Sequence, residues 1–167
     1  MENEDHIRKH KDLPIYKKAE EIFEIVSKIA DLIPDDDSPL SSVKGQMLGD
    51  SMTIMAKIAG AEGGDIYDLR MENAAIIRKA ARDLMVTKHS LEMYGFKEFE
   101  YFDMVRDLIE EFRLLFIEWV AGFDKWNYII DRWGLFNPPG VGPFDKDPDD
   151  DIPFNPEDFL GDIDDDD

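Results

Sequence analysis

The chain has 167 residues, 43% hydrophobic and 35% charged, with 39 acidic against 19 basic side chains and a net charge of −20. The absence of cysteine excludes disulfide scaffolds, thiol nucleophiles and cysteine-type zinc sites, and His6, His10 and His89 are too few for a histidine-rich metal centre. No apolar run reaches the roughly 18 residues of a membrane span, and the opening MENEDHIRKH lacks the hydrophobic stretch of an export signal, so a cytoplasmic protein with no membrane partner is expected.

After an N-terminal arm over residues 1–9, the spacing predicts a first helix over 14–33. Pro14 lies in its opening turn, and Ile15, Ala19, Ile22, Val26, Ile29 and Ile33 recur at helical intervals. Pro34 and the run Asp35-Asp36-Asp37-Ser38-Pro39 end it. A second helix over 41–61 repeats Val43, Met47, Ile54, Ile58 and Ala61, and its Gly45, Gly49 and Gly60 predict a close approach by another helix. Gly63-Gly64 separate it from a third, 67–94, marked by Ile77, Ala80, Leu84, Leu91 and Tyr94 and stopped by Gly95.

The fourth helix carries the most regular stripe: Phe102, Val105, Ile109, Phe112, Phe116, Trp119, Phe123, Trp126, Ile130 and Trp133 alternate steps of three and four. As one helix it would run about 48 Å against about 30 Å for the first. Its end should therefore overhang the bundle. The residues Phe116, Trp119, Phe123, Trp126, Ile130 and Trp133 are accordingly predicted to form a subunit interface. The expected fold is an all-α, up-down four-helix bundle over residues 10–134, followed by an irregular tail over 135–167.

Six of the nine prolines follow residue 137, and residues 144–167 hold 12 acids and one lysine, for a net −11. Apolar side chains punctuate this acid. Asp149, Asp150 and Asp151 would steer the tail toward a partner, and Ile152, Phe154, Phe159 and Leu160 would anchor it. The run Asp149-Asp150-Asp151-Ile152-Pro153-Phe154 resembles the acidic tip of bacterial single-stranded DNA-binding proteins. That resemblance implies a partner protein of nucleic-acid metabolism. In that family the phenylalanine is the last residue, whereas here Asn155-Pro156-Glu157 and more follow it. An EF-hand reading of Asp145-x-Asp147-x-Asp149 fails, because Asp150 stands where the loop needs glycine and Pro156 where it needs glutamate.

The stretch from His10 through Lys11-Asp12-Leu13-Pro14-Ile15-Tyr16-Lys17-Lys18-Ala19 resembles the opening of the four-helix-bundle family encoded in 23S rRNA intervening sequences. Gln46-Met47, Thr53-Ile54, Ile58-Ala59 and Tyr94-Gly95-Phe96 continue the likeness, whereas Met55, Lys57 and Leu48-Gly49 depart from that family's Pro, Asn and paired arginines. The resemblance implies a ring-forming bundle, commonly a homopentamer, without established catalytic activity. A related branch, the accessory variability determinant of diversity-generating retroelements, assists a reverse transcriptase through a basic surface. Five copies of this chain at −20 each would carry −100, which opposes general nucleic-acid binding.

Three motifs carry candidate chemistry. Arg82 and His89 fit the Arg-polar-x5-His pattern of HEPN-type ribonucleases, in which the arginine steadies a phosphate and the histidine accepts a proton. Glu20-Glu21-x-x-Glu24 has the form used by magnesium-dependent nucleotide pyrophosphohydrolases, but its companion Glu100-x-x-Asp103 is not on the next helix. The basic residues Arg78, Lys79, Arg82 and Lys88 form an island on the third helix that would take an anion or the acidic tail. The sequence thus predicts a non-enzymatic, homo-oligomeric scaffold or adaptor that needs no cofactor and multiplies weak tail contacts by avidity. A nucleic-acid or reverse-transcriptase accessory factor with an autoinhibitory tail is the alternative, and a HEPN-like ribonuclease the next.

Overall fold

A computed structural model describes residues 9–153, in which the only regular secondary structure is helical, with four long helices and no strand. Helix α1 spans Pro14–Ala30, α2 Pro39–Glu62, α3 Tyr67–Met93 and α4 Phe102–Ala121. Single 3-10 turns lie at Lys9–Asp12, Phe99–Tyr101 and Pro148–Asp151. The expected four-helix bundle is therefore the observed fold. No helix among the described residues is long and apolar enough to cross a membrane.

Local chemistry sets the helix ends. Leu13 is extended and Pro14 follows as the first residue of α1, where its missing N–H costs nothing. Before α2 the Asp36 carboxylate accepts from the Ser38 N–H at 2.8 Å, and Ser38 caps the helix by accepting from the Ser41 N–H. Gly95, at φ +80°, closes α3; its N–H donates to the Glu92 carbonyl and the Phe96 N–H to that of Leu91, so Phe96 folds back into the core.

The helices pack as a ring in which α1 contacts α2 and α4, and α3 contacts α2 and α4. One core joins Ile22 and Val26 of α1, Met47, Ile54 and Ile58 of α2, Ile77 and Leu84 of α3, and Phe102, Val105 and Phe112 of α4. A smaller cluster at the α3 N-terminal end gathers Tyr67, Ala74 and Phe123, with Trp119 and Tyr128 against it.

Two expectations are corrected. Helix α4 ends at Ala121 rather than Trp133. Beyond Gly122 the chain turns and crosses the end of the bundle as an irregular strap, in which the Asn127 carbonyl accepts the first N–H of α3, from Tyr67, at 2.8 Å. No helical overhang exists. In α2, a side chain at Gly45 or Gly49 would meet nothing within 4 Å, so these glycines face solvent rather than a closely approaching helix.

Candidate functional site

Helices α3 and α4 lie side by side without closing. Between them runs a groove of about 570 Å³, with the buried Ala81, Ile109 and Phe112 at its floor and Met85, Val86, Phe116 and Ile117 along its walls. Arg78 and Arg82 of α3, one turn apart, line it from one side and Arg113 of α4 from the other. Arg113 donates to Glu110 at 3.1 Å, whereas neither Arg78 nor Arg82 forms an ion pair among the described residues. The site is an apolar trough rimmed by guanidinium groups.

The structure divides the predicted basic island. Lys79 is tied to Asp83, and this carboxylate holds its ammonium above the usual lysine range. Lys88 bridges to Asp103 of α4 through both carboxylate oxygens, at 2.9 and 2.8 Å. Only Arg78 and Arg82 of the island reach the groove. Arg113, absent from the sequence reading, completes the rim; it lies one turn from Ile109 on the same helix, a signal visible only once α4 is set beside α3.

The predicted interface residues do not stay together. Phe116 and Trp119 are half-buried, with ring centroids 6.0 Å apart, and the Trp119 ring meets Phe123 edge-on at 4.8 Å. Phe123 and Ile130 are each only 4% exposed within their own chain and so are not free to meet a partner, a correction that follows from the turn at Gly122. Trp126 and Trp133 are 72% and 92% exposed.

A polar knot seats this end of the bundle. Glu62 Oε1 accepts from Arg70 Nη2 at 2.6 Å and from the Trp119 indole N–H at 2.7 Å, while the Arg70 guanidinium lies 4.1 Å from the centre of the Phe123 ring. Further along, the Asp131 carboxylate accepts from the backbone N–H groups of Trp133, Leu135 and Phe136 at 2.8–2.9 Å. Asn137 exchanges two hydrogen bonds with the Asp131 backbone, and Asp147 accepts from the N–H groups of Ile130 and Asp149. The Arg132 guanidinium donates to the Pro143 and Asp145 carbonyls. The strap thus replaces missing helix hydrogen bonds with carboxylates, a role for Asp131 and Asp147 that the sequence reading missed. The clustering of Asp, Asn, Gly and Pro from 131 to 147 was its signal.

These backbone donors hold the carboxyl of Asp131, chiefly through Phe136, and that of Asp147, chiefly through Ile130, below the usual aspartate range. A lowered folded-state pKa stabilises above the unfolded value and is lost as pH falls through the folded one. Hydrogen-exchange protection of the Trp133, Leu135 and Phe136 amides, corrected for intrinsic rates, should therefore be constant at neutral pH and decline below about pH 4. Asp131→Ala should abolish it at every pH.

In the tail, Asp149, Asp150 and Asp151 are exposed in the turn that Asp147 caps, and Lys146 pairs with Asp151. Ile152 is exposed, and Phe154, Phe159 and Leu160 lie outside the described residues. Of the catalytic motifs, Arg82 and His89 are both exposed on α3; Glu21 pairs with Lys18, Glu24 with Lys28, and Asp103 with Lys88. Comparison with known protein families, with curated proteins and with solved structures finds no match for this chain.

Proposed function

We propose that the chain is a non-enzymatic, self-associating four-helix scaffold that offers an acidic, aromatic arm to a partner protein. The observation that carries this reading is the apolar surface on the strap: Trp126, Ile129, Trp133, Leu135 and Phe144 are exposed although the backbone beneath is held by directed hydrogen bonds. Beside them a pocket of about 470 Å³ is lined by Leu69 of α3 with Trp133, Leu135 and Phe136. Large apolar groups kept in water mark association surfaces. The likeness to the intervening-sequence family adds a ring, with the pentamer as its size.

Mass measurement of the intact assembly by light scattering and native mass spectrometry tests the reading. A closed oligomer is expected, and Trp133→Ser combined with Leu135→Ser should convert it to monomer with an unchanged helical signal. A wild-type monomer at the highest attainable concentration overturns self-association.

A second reading, the nucleic-acid accessory factor, draws on the arginine rim of the α3–α4 groove. The net charge of −20 favours the protein scaffold over it.

A further inference from the structure

The α3–α4 groove joins two chemistries: an apolar floor, and a rim in which Arg78, Arg82 and Arg113 outnumber Glu110. Its ligand should therefore carry apolar side chains set among negative charges. The chain itself contains one such segment. Residues 154–167 hold seven acids and no base, interleaved with Phe154, Phe159, Leu160 and Ile163.

The point where the described chain ends makes the fit possible. Asp147 is held to Ile130, on the strap that covers the α3 N-terminal end. The 3-10 turn after it keeps Ile152 within roughly 10 Å of Asp147. From Tyr67 to Arg78, the near edge of the groove, is about 16 Å along α3, and the segment from Ile152 to Phe159, fully extended, reaches roughly 23 Å, which leaves about 7 Å for the offset between Ile152 and Tyr67.

We infer that the α3–α4 groove is the seat of the chain's own C-terminal arm, with Phe159 and Leu160 in the apolar trough and the flanking acids against Arg78, Arg82 and Arg113. The scaffold then withholds the arm until a partner with a better pocket competes for it. This inference rests on the preceding reading in taking the arm as a peptide ligand, but it does not depend on subunit number. Desolvating aromatic side chains supplies the hold, and the arginines set orientation and exclude uncharged competitors.

The cysteine-free sequence allows a clean test on the full chain. Ile163→Cys carries a nitroxide, and the methyl signals of Met85, Val86 and Ile117 are recorded by NMR with the label oxidised and reduced. A sample diluted with unlabelled, isotopically silent protein separates contacts within a molecule from those between molecules. The expected result is loss of these methyl peaks within the molecule and their return in Arg78→Glu with Arg82→Glu, both of which replace exposed side chains. Unaffected peaks, loss that survives charge reversal, or loss only between molecules each overturn the inference. Assembly mass measured on the same sample reads failure of self-association separately from failure of arm docking.

Discussion

Phe112→Ala is expected to lower the unfolding free energy by about 3–4 kcal/mol and the Tm by about 10 °C. The ring is 2% exposed, packs in the main core and lies 6.3 Å from that of Phe116. It also floors the groove. Truncation removes its buried area and leaves a void that the neighbouring helices close only partly. Because one side of that void opens toward the groove, the loss should fall in the lower part of the range for buried aromatics. Urea denaturation should show a lower midpoint with an unchanged slope. Ile117→Ala, on the exposed wall of the same groove, should stay within about 0.5 kcal/mol and so separates the stability of the bundle from the surface it offers.

Glu62→Ala should cost about 2 kcal/mol, the effect of removing a charged acceptor that serves two partly buried donors. Of its two carboxylate partners Arg70, whose side chain is 14% exposed, would keep only Asp65 at 3.0 Å, and the Trp119 indole N–H would lose its acceptor. The loss should be smaller than for a fully buried pair, since Asp65 and solvent compensate in part. Glu62→Gln retains an acceptor for the indole and should recover about half of it. Thermal unfolding of the three proteins, with the Trp119 indole N–H resonance as a local probe, checks both the size and the order.

The bundle was legible because its apolar spacing and its punctuation agree. In α1 the stripe Ile15, Ala19, Ile22, Val26 and Ile29 begins at Pro14, and every member is buried. At the end of α4 the two signals conflict. Phe123, Trp126, Ile130 and Trp133 continue the intervals of three and four, but Gly122, Asp124, Asn127 and Asp131 are turn formers. Periodicity records which residues are apolar, not whether the backbone between them remains helical. The strap uses two of these four residues, Phe123 and Ile130, as anchors and leaves two outside.

The groove could not be read from one helix at a time. Arg78 and Arg82 were visible as a pair, but their separation from Lys79 and Lys88 depends on Asp83 and Asp103 claiming the lysines. Arg113 joins the site only through the facing of α3 and α4.

The strap also decides where a pull on the C-terminus would be felt. Within the strap, past the Lys146–Asp151 pair, tension would load the Asp147 contact with Ile130 and then the Asp131 turn, both held by exposed or half-buried hydrogen bonds that open far more easily than a packed core. Their release would pay out residues 131–147, roughly 55 Å of chain, while Phe123 and Ile130 stay anchored. The strap would thus act as a mechanical fuse, yielding before force reaches the four helices.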